Sequence, residues 1–261
     1  VIRPLPGWAA TLAIIGALFM GVPVVALLLR VPWLDVPRLL VSPAATDALA
    51  LSLRTCLAST LLSLLLGLPL ALALSRLRGR WKTVGRVLAT VPMVLPPVVA
   101  GLALLVTFGR RGLIGQVLSV GGIEIGFTTI AVVISQTFVA MPFLVVAVEG
   151  ALRSVDGEAE LMAATLGASP TRVLWQVTLP ALGPAIGSGA SLAAARALGE
   201  FGATVTFAGS LQGTTRTLPL EIYLQREVDT DTSLALAAVL IGLAALLVLG
   251  TGVLGRVRTS R

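Results

Sequence analysis

Five apolar runs, each free of charge and long enough to cross a bilayer, set the first limit on what this chain can fold into. They cover residues 8–29, 55–74, 87–108, 127–148 and 234–254. A hydrocarbon core about 30 Å thick takes about 20 residues of helix at 1.5 Å each. A sixth run, 182–207, is long enough but contains Arg196 and Glu200. Its richness in small residues reads as a helix packed inside a bundle, where charges can face protein or water instead of lipid. The expected fold class is therefore all-α: a polytopic membrane protein of about six transmembrane helices, with residues 1–261 as one domain. The first run ends at Arg30 without a small-residue cleavage site, so it reads as a helix and not as a removable leader.

Charge decides how the spans are threaded. The chain is 56% hydrophobic and only 12% charged, against about 25% charged in soluble domains. Its net charge of +7 does not point to nucleic acid, because the 19 basic residues collect in short segments between apolar runs. Arg76, Arg78, Arg80, Lys82 and Arg86 form the densest of these. Arg3, Arg153, Arg172, Arg256, Arg258 and Arg261 fall on the same side of a six-span thread, against six basic residues on the other. The majority side is expected to be cytoplasmic, with both termini on it, although Arg110 and Arg111 run against the bias. Prolines at 23, 69, 92, 96, 97, 142 and 184 predict kinks, tolerable where neighbouring helices satisfy the freed carbonyls.

Several chemistries drop out. Histidine is absent and Cys56 is the only cysteine, leaving no disulfide and no Cys/His metal site. No G-x-x-x-x-G-K-[ST] phosphate loop occurs, so the chain itself is not expected to hydrolyse ATP or to hold a cofactor. Nor do the spans carry the Ser/Lys or paired-Asp arrangement of an intramembrane enzyme.

Residues 149–181 are too polar to span and too patterned for a linker. They read as two short helices of about ten residues. Asp156 caps the first, Glu158 and Glu160 complement its dipole, and Gly167 closes it. Ser169 caps the second, Pro170 takes its first position, and Pro180 marks its stop. Leu161, Met162, Leu166, Val173, Leu174 and Val177 give this element an apolar surface that suits either the headgroup layer or a groove on another protein.

The string LGASPTRVLWQVTLP (166–180) resembles the EAA loop of ABC-importer permeases, the segment that docks into a cleft of the ATPase subunit. Farther on, AAARALGEFGATVTFAG (193–209) and GTTRTLPLEIY (213–223) look like the molybdate and tungstate permease family. The likeness runs from about residue 49 to 254. It implies a type I ABC importer permease acting as a pair of copies, with a separate ATPase subunit and an extracytoplasmic oxyanion-binding protein as partners. The coupling residues it implies are Asp156, Glu158, Glu160, Ala163, Gly167, Ala168, Pro170, Leu179 and Pro180. One departure stands out: the family's Glu lies six residues before the Gly, where this chain has Leu161, and Met162 replaces a usual alanine. A one-residue shift turns a side chain by about 100°, which leaves open whether Glu158 or Glu160 meets the ATPase.

Arg54, Arg196 and Glu200 are the charges within spans. Arg196 and Glu200, four apart on one helical face, read either as a pathway element or as an ion pair holding the bundle. The segment 213–231 carries more acid than base and suits contact with the binding protein better than anion capture. Two other transport readings compete. A sulfate permease shares the loop, and a proton-coupled carrier would use Glu200 as its relay without needing the loop.

Overall fold

In lipid no water is at hand to pair backbone N–H and C=O groups, so each apolar run closes its own hydrogen bonds as helix. The computed structural model describes residues 6–153 and 157–259, with side chains described as far as residue 250. Among these the chain runs α1 Gly7–Leu29, α2 Val36–Leu40, α3 Pro43–Arg76, α4 Gly79–Val94, α5 Pro97–Phe108, α6 Gly115–Val120 and α7 Thr129–Leu152. It continues through α8 Glu158–Thr165, α9 Pro170–Val173, a π turn at Leu174–Thr178, α10 Leu179–Leu198, α11 Gly202–Ala208, α12 Leu218–Val228 and α13 Thr230–Thr259. No strand occurs among the described residues. Five helical stretches are long and apolar enough to cross a membrane, and α4 with α5 make a sixth if that bent pair is one span.

Three expectations need correction. The run 87–108 is not one rod, because α4 and α5 meet at 115°. Leu95 sits before Pro96, which disfavours the helical region, and it adopts φ −62°, ψ 134°. Pro96 and Pro97 then supply no donors across the junction. The run 182–207 is also broken, since α10 ends at Leu198 and α11 begins at Gly202. Finally, Pro180 stops nothing. The helix passes from Pro170 to Leu198 through the π turn. Widening that turn gives the Pro180 ring room against the carbonyl one turn earlier, where an α turn would clash.

The central rod is α7, whose spanning window is 56% buried. It packs against α3, α10, α4 and α11. With lipid as apolar as leucine, helices associate by close van der Waals contact, which small side chains permit. Ala71, Ala140, Ala193 and Ala197 accordingly have no exposed surface. Two buried polar residues of α3 return their hydroxyls to the previous turn, Thr55 to the Leu51 carbonyl at 2.9 Å and Ser59 to that of Cys56 at 3.0 Å. By contrast, α1 leans on α13 with none of its residues buried.

Candidate functional site

The segment joining α7 to α10 is built by local rules that the sequence states openly. At the end of α8 the Gly167 N–H donates to the Ala164 carbonyl and the Ala168 N–H to that of Ala163, each at 3.0 Å. This is the Schellman pair of bonds, and it needs a left-handed residue at its pivot. Gly167 supplies it with φ +83°. Ala163 and Ala168 are thus the two ends of one closing bond. Two residues on, Ser169 Oγ accepts from the Arg172 N–H at 3.4 Å and Pro170 opens α9. Leu179 and Pro180 lie beyond the π turn as the first residues of α10. Asp156 lies outside the described residues, and the residue that precedes α8 is Gly157, which offers no side-chain cap.

The two acids of α8 part company. Glu160 Oε1 accepts from the hydroxyl of Thr178, a buried residue of the π turn, and so ties α8 to the root of α10. Glu158 is exposed and, among the described residues, has no ion-pair or hydrogen-bond partner. Around it the loop presents large apolar side chains to the outside: Leu166 is 88% exposed, and Leu161, Met162 and Trp175 are each at least 63% exposed. Between the loop and the end of α3 runs a groove of about 390 Å³, lined by Arg76, Glu160, Leu161, Ala164, Ala168 and Pro170.

A second cluster fixes the loop at its start, and nothing in the sequence patterning singled it out. Glu149, the fourth residue from the end of α7, has a side chain only 5% exposed. Arg86 on α4 approaches it with both Nε, at 3.2 Å from Oε2, and Nη2, beside Oε1. Arg153 adds Nη2 at 3.0 Å from Oε1.

Farther along α10, Arg196 Nη1 lies 2.7 Å from Glu200 Oε2, and Glu200 Oε1 accepts from the Ala203 N–H at 2.9 Å. The carboxylate therefore bridges the break between α10 and α11, capping the second helix while pairing with the first. Arg54 does not join them. It is exposed on α3 and has no ion-pair partner among the described residues. Beyond α11, Arg216 is held by Glu221 at 3.3 Å and by the Ser210 hydroxyl and carbonyl at 3.2 and 3.3 Å.

The chain is a membrane-type bundle with two interrupted helices and a capped helical loop, rich in exposed apolar side chains, between two of its candidate spans. The chain belongs to the family described as binding-protein-dependent transport system inner membrane component, which matches residues 63–256. It is 54% identical, over 95% of its length and 94% of the relative's, to the Molybdenum transport system permease protein ModB of Mycobacterium tuberculosis. A probable sulfate transport system permease protein of Chlorokybus atmophyticus is 32% identical over 93% of this chain and 86% of the relative. In fold it is similar to a chain of the bacterial alginate ABC transporter crystallised with an alginate pentasaccharide-bound periplasmic protein. That likeness has a TM-score of 0.73 at 18% identity and covers 97% of this chain and 94% of the other.

Proposed function

We propose that this chain is the permease subunit of an ATP-driven importer for molybdate, with tungstate as a second cargo of the same chemistry. The observation that carries the substrate is the 54% identity, over nearly the whole chain, to a molybdenum permease, against 32% to a sulfate permease. The end bearing α8, α9 and the Arg76–Arg86 cluster faces the cytoplasm in this reading, in keeping with the excess of basic residues there. Energy enters through the loop. Four exposed apolar side chains, an exposed Glu158 with no partner among the described residues and a Schellman closure suit a cleft on a separate ATPase subunit.

Two copies of the chain rock against each other as the ATPase dimer closes and opens, giving alternating access. Glu160 is bonded within its own chain, which leaves Glu158 as the acid available to a basic residue of the ATPase. Selectivity rests mainly with the extracytoplasmic binding protein, because Arg216, the cation within the family motif at 213–223, is already engaged by Glu221 and Ser210. Arg196 and Glu200 hold the broken span together in this account instead of lining the path.

The test is reconstitution with an ATPase subunit and an oxyanion-binding protein of a molybdate importer. ATP-dependent accumulation of molybdate, with sulfate failing to compete, is the expected result. Preferential accumulation of sulfate would transfer the chain to the sulfate class, and accumulation driven by a proton gradient without ATPase would overturn the ATP-driven mechanism.

A further inference from the structure

The clasp of Glu149 with Arg86 and Arg153 is more than a surface ion pair. Its carboxylate is nearly sealed from solvent and receives three guanidinium nitrogens from two arginines. Breaking a buried pair by removing one partner is strongly unfavourable, so such a contact holds its two elements in register. What it joins matters. Glu149 and Arg153 flank the end of α7 at the root of the coupling loop, whereas Arg86 lies in the middle of α4.

The far end of α4 is the Leu95–Pro97 bend. Pro97 presses on the first residue of α11, such that a Cβ placed on Gly202 would fall 2.6 Å from the Pro97 Cβ. Just beyond, α5 and α11 meet backbone to backbone, for a Cβ on Gly101 would fall 2.8 Å from the Ala203 carbonyl oxygen. A continuous chain of contacts therefore leads from the loop through Glu149 and Arg86, along α4, across the proline bend and onto the helix capped by Glu200.

We infer that Glu149 and Arg86 are positioning residues for energy coupling: they make α4 a lever that moves with the loop and delivers the ATPase stroke to α5 and α11. The inference rests on the ABC-permease reading of the loop. The Arg153 leg lies within the α7 end and moves with the loop in any case, so only the Arg86 leg crosses between elements.

That asymmetry supplies the test. In the reconstituted complex, oxyanion imported per ATP hydrolysed is measured for Arg86→Gln and Arg153→Gln, each of which leaves Glu149 one arginine. Arg86→Gln is expected to lower the ratio by roughly 2- to 30-fold, the range seen for residues along coupling networks, while ATP hydrolysis and subunit assembly persist. Arg153→Gln is expected to leave the ratio near wild type. A merely structural clasp would lower thermal stability in both variants without separating their ratios.

An unchanged ratio in Arg86→Gln, or an equal fall in both variants, overturns the inference. Should Arg86→Gln fail to assemble, the reversed pair R86E/E149R replaces it. Recovery of both assembly and ratio supports the lever, and any other result refutes it. The ratio is taken with whichever of molybdate, tungstate or sulfate the wild type carries, so a wrong substrate reading shows in the wild type and not in the comparison.

Discussion

Replacing Gly167 separates backbone strain from contact with a partner, because among the described residues nothing beyond its chain neighbours lies within 4 Å of a Cβ built there. Gly167→Ala adds a methyl group that touches nothing, yet forces a side chain onto a residue at φ +83°. The left-handed conformation is disfavoured for an L-residue by about 1 to 2 kcal/mol. If the loop is to keep its Schellman closure, that strain lowers the population able to dock by roughly 5- to 30-fold, a tenfold change corresponding to about 1.4 kcal/mol. Gly167→Asn accepts the same backbone with little strain, since asparagine visits the left-handed region, and should dock almost as wild type. Gly167→Leu carries the strain of alanine plus a bulk that only a bound ATPase can meet, so any further loss measures the cleft. The assay is co-purification of ATPase with permease across a titration of ATPase, alongside ATP-dependent uptake, with membrane insertion as the control. Equal docking by the alanine and asparagine variants would refute the strain argument. Equal docking by leucine and alanine would refute the cleft.

Three other outcomes follow from the geometry. Glu200→Gln removes the charge facing Arg196 while keeping an oxygen for the Ala203 N–H, and should lower stability by about 3 kcal/mol, the low end for a broken buried pair given that Arg196 is partly exposed. A lowered melting temperature with normal oxyanion selectivity in the surviving complex is expected, and altered selectivity at full stability would restore the pathway role. Gly101→Val crowds the Ala203 carbonyl and Thr206, so a loss of about 1 to 3 kcal/mol is expected by thermal unfolding in detergent; a neutral result would mean that α5 and α11 separate freely. Asp229 precedes α13 and accepts from the Thr232 hydroxyl and from the Thr232 and Asp231 amides, and these bonds, the hydroxyl's first, hold its carboxyl below the usual aspartate range. A depressed folded value means the cap is fully present above about pH 4, near the ordinary aspartate pKa, and is lost as pH falls further. The protection of the Asp231 and Thr232 amides, measured against their intrinsic exchange rates, should therefore fall only below that point, and in Asp229→Ala it should be low at every pH.

What was legible in the sequence was whatever local chemistry dictates. Apolar run length gave the spans, and the Gly167 closure, the Ser169 cap and Pro170 at the helix start lie where the loop sequence puts them. Of the prolines expected to kink, Pro23, Pro69, Pro92, Pro142 and Pro184 lie inside helices, and the bend falls at Pro96 and Pro97. Pro180 passes within a helix because the π turn before it makes room, a widening that no residue announces. Pro96 and Pro97 do not merely kink a span but fold it through 115°, since the two prolines act together with the extended Leu95. The Glu149–Arg86 contact was invisible because the two residues are 63 apart in the chain, and only the packing of α4 on α7 brings them together. Likewise, Glu160 looked like a candidate for an external contact until Thr178, eighteen residues later, was found to hold it.

The two breaks belong to one architecture. Both interrupted spans, α4–α5 and α10–α11, send their farther halves to the same place: α5 and α11 pack together and rest on α7 between Ala131 and Val139, through Ala100, Leu104, Ala203 and Phe207. The nearer parts, α10 with the inner end of α3, pack on α7 between Ala140 and Val148, through Ala71, Leu74, Leu182 and Ala193. So α7 is the one continuous rod shared by two layers, and the layers are joined elsewhere by short connections at Leu95–Pro97 and Gly199–Phe201. Force applied at the loop reaches the nearer layer directly, being rooted in α7 and α10. To reach the farther layer it must pass along α7, through the bridged break at Glu200, or through α4 and its proline bend. Because small-residue contacts such as Gly101 with Ala203 leave little room for sliding, the farther layer should move as a unit. In the alternating-access cycle proposed above, the position of the breaks would let one end of the bundle open while the other closes.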